Sequence, residues 1–234
     1  MRRALPAALV LVFALPAAAQ RTHRVSFRAA DGALISATFF EPSRRPAPAV
    51  ILLHMLTRNR RDWEPVAGRL AADGIAALAI DFRGHGESPP SADDSGVLTP
   101  LIKDVAAARQ YLASRPDVQA DRIGLAGASL GANVAVTYAA GDPAVRSLAL
   151  LSPTMDYRGI RIDQHVRKYS PRPMLLVASR EDAYALRTLR DLVKADKNGS
   201  REQIVLDEAG HGTRMLSRAG DLVRMLVEWF HRTL

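Results

Sequence analysis

The sequence contains no cysteine and only four lysines, although 32 of its 234 residues are basic. The absence of cysteine excludes thiol catalysis, thiolate metal sites and disulfides, whichever compartment the protein occupies. Aromatic residues make up 6% of the chain, and its arginines are scattered along the sequence. This pattern argues against a nucleic-acid-binding protein, which usually gathers basic and aromatic side chains on one face.

The N-terminal apolar run, at residues 5–15, is too short for a membrane-spanning helix, which needs about 20 residues. Pro6 interrupts it, two arginines precede it, and three alanines follow at residues 17–19. This arrangement predicts a secretory signal peptide over residues 1–19 and a mature protein that begins at Gln20. We therefore expect export to the periplasm or the medium, with no stable membrane insertion after cleavage. An uncleaved anchor is the alternative.

Length and composition predict a single domain over residues 20–234, with 48% hydrophobic and 24% charged residues. A β-hairpin is predicted at residues 25–40, around the Asp31-Gly32 turn. Strands and helices alternate after it, and the first helix is expected to start with Asp62 as its N-cap. The pattern predicts an α/β fold with a mostly parallel central sheet, an antiparallel N-terminal hairpin and helices on both faces. Buried strands are predicted at residues 49–53, 75–80, 123–126, 145–151, 173–178 and 203–206.

The most informative motif is a G-x-S-x-G pentapeptide at residues 127–131, centred on Ser129. An apolar run precedes it and an alanine-rich helical pattern follows it at residues 130–140. A serine between a strand and a helix is the context of a nucleophile elbow, which projects the hydroxyl above the sheet edge. The motif therefore predicts that Ser129 is a nucleophile. The alternative is a tightly packed strand–helix turn.

An acid and a histidine follow later predicted strands. Asp182 comes directly after one such strand and His211 after the last. Because the carboxyl ends of parallel strands meet at one edge of a sheet, we expect both to lie near Ser129. Asp156, which also follows a strand, is the alternative acid.

Five short motifs are spread over the chain: LLH at residues 52–54, DFRGHGES at 81–88, GASLG at 127–131, ASREDAY at 178–184 and GHG at 210–212. Together they resemble the α/β-hydrolase family, most of all its small dienelactone-hydrolase-like and esterase-like members. The resemblance covers nearly all of residues 20–234 and implies the α/β-hydrolase fold with a minimal lid. It also implies a triad of Ser129, Asp182 and His211, whose order along the chain is that of this family.

The same resemblance implies an oxyanion hole formed by the backbone N–H groups of Leu130 and Met55. Many relatives carry glycine where this chain has Met55, but the donor is a backbone group that methionine also supplies. His54 and His85 are expected to shape loops by hydrogen bonding. This chemistry requires no metal and no organic cofactor.

The expected function is hydrolysis of a carboxylic ester by an exported serine hydrolase, with lactones and thioesters as related substrates. A serine peptidase and a non-catalytic binding protein of the same fold are the alternatives. The expected partner is a small-molecule ester, with no nucleic acid. The oligomeric state is left open.

Residues 152–172 predict a short lid-like insertion, because 21 residues exceed a typical loop and fall short of a multi-helix cap. The segment has few large apolar residues, so we expect an open site and a preference for short-chain esters. Four basic side chains of this segment and three arginines that follow the expected oxyanion loop either face water or steer an anionic ester towards the site. They are Arg58, Arg60, Arg61, Arg158, Arg161, Arg167 and Lys168.

Overall fold

An eight-stranded mixed sheet forms the centre of the protein in the computed structural model, which describes residues 21–90, 98–157 and 159–234. The predicted signal peptide at residues 1–19 lies outside the described residues. The strands of this sheet are β1 (Thr22–Arg28), β2 (Leu34–Phe40), β3 (Ala47–Leu53), β4 (Ala76–Ile80), β5 (Val118–Ala128), β6 (Val145–Leu151), β9 (Met174–Ser179) and β10 (Arg201–Leu206). Their order across the sheet is β1-β2-β4-β3-β5-β6-β9-β10.

The first two strands form the predicted antiparallel hairpin, and β2 also pairs antiparallel with β4. Every other pairing in the large sheet is parallel. The residues of β4 are all buried, and so are nearly all of β3, as expected for parallel strands covered on both faces. Since the parallel strands share one direction, the segments that follow β3, β5, β6, β9 and β10 meet at the same edge.

Helices cover both faces of the sheet, as the sequence predicts. They are α1 (Glu64–Ala72), α2 (Leu98–Ala113), α3 (Leu130–Ala139), α4 (Asp163–Tyr169), α5 (Ala183–Lys194), α6 (Met215–Arg218) and α7 (Leu222–Thr233). One apolar layer contains residues of α2, α3, α4 and α5, and the other contains residues of α1, α6 and α7. None of the helices in the described part of the chain is long and apolar enough to cross a membrane.

The first helix begins differently from the sequence prediction. A 3₁₀ turn, Arg60–Trp63, precedes α1, and Asn59 is its N-cap because its side chain accepts a hydrogen bond from Arg61 N–H. The prediction that Asp62 is the cap is wrong. Its carboxylate accepts hydrogen bonds from the Arg58 guanidinium instead.

The predicted lid-like insertion contains regular structure of its own. A two-stranded hairpin, β7 (Asp156–Tyr157) with β8 (Ile160–Arg161), is followed by α4. Val166 and Tyr169 of α4 are buried in the core, so the apolar side of this helix packs on the domain.

Candidate active site

Ser129 lies at the sharp turn between β5 and α3, where the sequence predicts the nucleophile elbow. Its φ of 51° and ψ of −113° are rare for a residue with a side chain, so the turn is strained. Its backbone N–H donates to the Leu151 carbonyl at the end of β6, 2.8 Å away. This strained backbone fixes the direction in which the Ser129 hydroxyl leaves the sheet edge.

Two glycines allow this turn to pack closely. A Cβ on Gly127 would lie 2.2 Å from the Gly131 carbonyl oxygen, and a Cβ on Gly131 would lie 2.4 Å from the Leu53 carbonyl oxygen. Real Cβ atoms do not approach backbone this closely, so both positions require glycine. The G-x-S-x-G pattern therefore reflects packing of the elbow against its own helix and against β3.

Asp182 and His211 are brought together as the sequence predicts. The His211 Nδ1 atom lies 2.6 Å from Asp182 Oδ2. Because an ionised carboxylate only accepts hydrogen bonds, Nδ1 carries the proton and Nε2 is left as the acceptor nitrogen. Among the described residues, no group is hydrogen-bonded to Nε2 or to the Ser129 hydroxyl. A catalytic base needs this tautomer.

The surroundings of Asp182 keep its carboxyl group ionised. Burial raises the pKa of Asp182, but the hydrogen bonds with His211 and Ala185 N–H, together with the nearby Ser152 hydroxyl, lower it, and the net result is a pKa below the ordinary value. Asp182 is also the N-cap of α5, where its side chain accepts from Ala185 N–H. A carboxylate with this charge state can orient and stabilise a protonated histidine.

The loop that carries His211 packs against the elbow and the expected oxyanion segment. A Cβ added to Gly212 would lie 2.7 Å from the Met55 sulfur and 3.7 Å from Ala128 Cβ. Ala128 is the residue before Ser129, so the three sequence-predicted residues lie at one edge of the sheet. Ser129 and His211 are adjacent through their loops and are not joined by a direct hydrogen bond.

The two expected oxyanion donors are available. In the described part of the chain, neither Leu130 N–H nor Met55 N–H donates to a protein acceptor. Leu130 is the first residue of α3, where backbone N–H groups have no partner within the helix. Unpaired N–H groups beside a nucleophile could stabilise a developing negative charge.

His54 fixes the segment that contains Met55. Its Nε2 accepts from Phe82 N–H at 3.0 Å, and its Nδ1 donates to the Met55 carbonyl at 2.8 Å. Burial lowers the pKa of His54 to about 4, so the ring is neutral near pH 7. The predicted loop-shaping role of His54 is confirmed, and His85 likewise hydrogen-bonds a backbone carbonyl, that of Arg83.

The alternative acid, Asp156, has a different partner. Its Oδ1 accepts from Gly159 N–H at 2.7 Å, within the turn between β7 and β8. A carboxylate used in this way closes the small hairpin, whereas Asp182 contacts the histidine. The geometry therefore favours Asp182 as the acid.

Sequence reasoning missed two buried serines beside this site. The Ser152 hydroxyl accepts from Gly212 N–H at 3.0 Å, and the Ser179 hydroxyl accepts from Ala209 N–H at 3.0 Å. Ser179 is the last residue of β9, and Ser152 directly follows β6. This position at the carboxyl end of a strand is the sequence signal by which both serines could have been found. Together they fix the histidine loop on either side of His211.

Most of the basic residues that were candidates for steering an anionic substrate have carboxylate partners. Arg60 is almost completely buried and pairs with Asp81 and Glu87, so its predicted exposure to water is wrong. The other pairs are Arg58 with Asp62, Arg61 with Glu87, and Arg161 and Arg167 with Asp163. Arg158 lies outside the described residues. These pairings reduce the net positive charge that a substrate would meet.

Within the described residues, no group of three or more histidine or acidic side chains is placed to bind a metal ion. The polar groups at this edge are a serine hydroxyl, a carboxylate–histidine pair and two backbone donors. These groups suit acyl transfer through a serine.

Solved structures of known hydrolases share this fold. An esterase of Pyrococcus furiosus superimposes with a TM-score of 0.79 at 21% identity, over 97% of this chain and 98% of the esterase. A dienelactone hydrolase of Anabaena variabilis gives a TM-score of 0.75 at 19% identity, over 92% of this chain and 99% of that enzyme. The predicted α/β-hydrolase fold is confirmed.

Sequence comparisons agree with the fold. The chain is 27% identical over 199 residues to an uncharacterised protein of Mycobacterium tuberculosis, covering 77% of this chain and 69% of the relative. A family model described as serine aminopeptidase, S33, matches residues 44–198, which is more than half of the chain. The protein therefore belongs to this hydrolase family and has the α/β-hydrolase fold.

Proposed function

We propose that the protein is an exported serine hydrolase that cleaves carboxylic esters through an acyl-enzyme on Ser129. The observation that carries this proposal is the 2.6 Å hydrogen bond between His211 Nδ1 and Asp182 Oδ2, at the sheet edge where Ser129 occupies a strained turn. A partly buried carboxylate, a histidine with a free Nε2 and a serine at the sheet edge are the parts that acyl transfer requires.

In the proposed first step, His211 Nε2 removes the proton of Ser129 Oγ while Oγ bonds to the acyl carbon. The carbonyl oxygen becomes an oxyanion and accepts hydrogen bonds from Leu130 and Met55 N–H. Asp182 stabilises the imidazolium that forms. The ester C–O bond then breaks, and His211 returns its proton to the departing alkoxide, which leaves as the alcohol.

The second step regenerates the enzyme. His211 removes a proton from water as the water oxygen bonds to the acyl carbon of the acyl-enzyme. The bond to Ser129 Oγ breaks, the carboxylic acid leaves, and the serine recovers its proton from His211. Loss of one oxyanion donor typically lowers the rate by about 10²–10³.

Esters are preferred over peptides because of the likenesses to an esterase and to a dienelactone hydrolase. The family description, serine aminopeptidase, supports peptide hydrolysis as the second candidate. The two reactions share their nucleophile and differ in the leaving group, which is an alcohol or an amine. Lactones and thioesters would be cleaved by the ester route.

Covalent labelling tests the nucleophile. The protein, starting at Gln20, is treated with a fluorophosphonate probe, and the modified residue is mapped by peptide mass spectrometry. We expect the adduct on Ser129, no adduct in Ser129→Ala, and a full adduct in Ser217→Ala, which removes an exposed hydroxyl on α6. An adduct on another residue, or no adduct on the native protein, contradicts the proposal.

A substrate panel separates the two candidate reactions. p-Nitrophenyl acetate, a small lactone and aminoacyl p-nitroanilides are compared by kcat/KM. We expect the ester to be the best substrate. A higher kcat/KM for an aminoacyl anilide would favour the peptidase, while labelled but inactive protein would favour a binding role.

A further inference from the structure

Ser152 occupies an unusual position between the two residues that the proposed mechanism pairs. It directly follows β6 and is completely buried. Its hydroxyl accepts from Gly212 N–H at 3.0 Å, and Gly212 is the neighbour of His211. The same hydroxyl lies near enough to the Asp182 carboxylate to contribute to the lowered pKa of that group. One side chain is therefore hydrogen-bonded to the histidine loop and lies beside the acid.

The chemistry of a hydroxyl decides what its oxygen and its proton can do here. Gly212 N–H can only donate, so Ser152 Oγ is the acceptor in that contact. The hydroxyl proton then remains for the neighbouring Asp182 carboxylate, which can only accept when it is ionised. A side chain without a hydroxyl offers neither the acceptor nor the proton.

The backbone of Ser152 is strained at this position. Its φ is 48°, a value that residues with a side chain rarely adopt. Its N–H donates to the Val177 carbonyl of β9 at 2.8 Å, which fixes the residue between two strands. Two residues later, Thr154 exchanges hydrogen bonds with the Asn133 side chain of α3 in both directions, at 3.0 and 2.9 Å. Glycine would adopt this conformation without strain, but glycine offers no hydroxyl.

We infer that Ser152 is a positioning residue, which orients Asp182 and the His211 loop relative to each other through its hydroxyl. The inference rests on the proposed function, since its consequence for rate requires that Asp182 and His211 act in catalysis. Ser152 itself does not touch the reacting atoms. Removal of the Ser152 hydroxyl leaves every triad member in place and loosens the geometry between Asp182 and His211.

Two substitutions separate the effect of the Ser152 hydroxyl from the effect of its backbone strain. Ser152→Ala removes the hydroxyl and keeps a side chain at positive φ, whereas Ser152→Gly removes the hydroxyl and relieves the strain. We expect both variants to lower kcat by about 10- to 100-fold, the usual range for a lost hydrogen bond to a charged group, with KM within about twofold of the native value. The matched control is Ser147→Ala, which removes a buried hydroxyl at the other end of β6, where it contacts Thr233.

Coupling to the acid tests the route by which Ser152 acts. In an Asp182→Asn background, the loss caused by Ser152→Gly should shrink to less than about threefold, because the two residues act as one unit. Wild-type kcat in Ser152→Gly would show that only the backbone matters and would overturn the inference. If the loss of kcat in the double variant equals the product of the losses in the two single variants, the inference is overturned as well.

A spectroscopic measurement gives a result that does not depend on activity. The proton on His211 Nδ1, hydrogen-bonded to Asp182, is observed by ¹H NMR and assigned by its loss in His211→Gln. We expect this resonance to shift or broaden in both Ser152 variants and to stay unchanged in Ser147→Ala. An unchanged resonance in Ser152→Gly contradicts the positioning role. Fluorophosphonate labelling of native Ser129 distinguishes this failure from failure of the proposed function, which would leave Ser129 unlabelled.

Discussion

At the residue scale, two aspartates follow strands of the same sheet and have different hydrogen-bond partners. Asp182 contacts His211, and Asp156 closes the turn between β7 and β8. We expect Asp182→Asn to lower kcat by about 10⁴, because an amide stabilises the wrong histidine tautomer. Asp156→Asn should change kcat by less than about threefold. Ester hydrolysis under saturating substrate checks both, and a larger loss in Asp156→Asn would transfer the role to that residue.

His54 gives a prediction on stability against pH. Its pKa in the folded protein is lowered to about 4 by burial, while an unfolded histidine titrates near about 6.5. The unfolded state therefore binds the extra proton first as pH falls. The free energy of unfolding should decrease by on the order of 3 kcal/mol from about pH 6.5 to pH 4, and the contribution is complete above that window.

Urea unfolding at a series of pH values measures this dependence. His54→Gln has no titrating ring, so its free energy of unfolding should vary less over the same window. The comparison with native protein isolates His54 from the carboxylates, which are common to both proteins. If the free energy of unfolding falls equally with pH in native protein and in His54→Gln, groups other than His54 cause the loss of stability.

At the element scale, the elbow depends on the close approach of α3 to β3. An alanine at position 131 would bring a Cβ to 2.4 Å from the Leu53 carbonyl oxygen. We expect Gly131→Ala to lower the free energy of unfolding by at least about 1–3 kcal/mol, the usual cost of overpacking. Gly220→Ala is the control, since a Cβ there has no neighbour within 4 Å. Equal stability of the two variants in urea would contradict this account of the elbow.

The segment at residues 152–172 bears on substrate size. Its helix α4 turns Val166 and Tyr169 into the core, so these side chains are not available to an acyl chain. Within the described residues, the exposed large hydrophobic side chains are Leu56, at 40%, and Tyr184, at 49%. They follow β3 and β9, on either side of the elbow. Because so little apolar side-chain area is exposed, we expect a short acyl group.

A series of p-nitrophenyl esters from acetate to palmitate tests this preference. We expect kcat/KM to be highest between acetate and butyrate and to fall with longer chains. Leu56→Ser should lower the ratio of butyrate to acetate by about fourfold, roughly the contribution of one buried methylene. A maximum at long chains would refute the short-chain proposal. An unchanged ratio in Leu56→Ser would remove that residue from the acyl site.

At the scale of the whole molecule, the sequence predicts that the protein is exported and that its mature form begins at Gln20. The prediction rests on the two arginines near the start, the apolar run at residues 5–15 and the three alanines at residues 17–19. Expression of the full chain in a bacterial host, followed by cell fractionation and N-terminal sequencing, measures the outcome. Cytoplasmic protein that retains Met1 would count against export. A protein that stays in the membrane fraction with the segment intact would indicate the uncleaved anchor.

Local pattern was enough to predict most of the sheet and the order of the candidate triad. Apolar runs indicate buried parallel strands, because both faces of such strands are covered. The carboxyl ends of those strands must then meet at one edge, so a serine, an aspartate and a histidine that each follow a strand are expected together. Ser129, Asp182 and His211 could be named on this basis without any knowledge of their contacts.

The contacts between distant segments were decided only by the tertiary structure. Arg60 is buried because Asp81 and Glu87, more than 20 residues away, provide its partners. Ser152 accepts a hydrogen bond from Gly212 in the histidine loop, 60 residues later. Asn59 is the N-cap of the turn before α1, and Asp62 is instead hydrogen-bonded to Arg58 and Thr213. Such pairings depend on side-chain direction and on how strands align, which no local pattern encodes. The sequence by itself determined which strands end at the site, and the folded chain determined which side chains touch there.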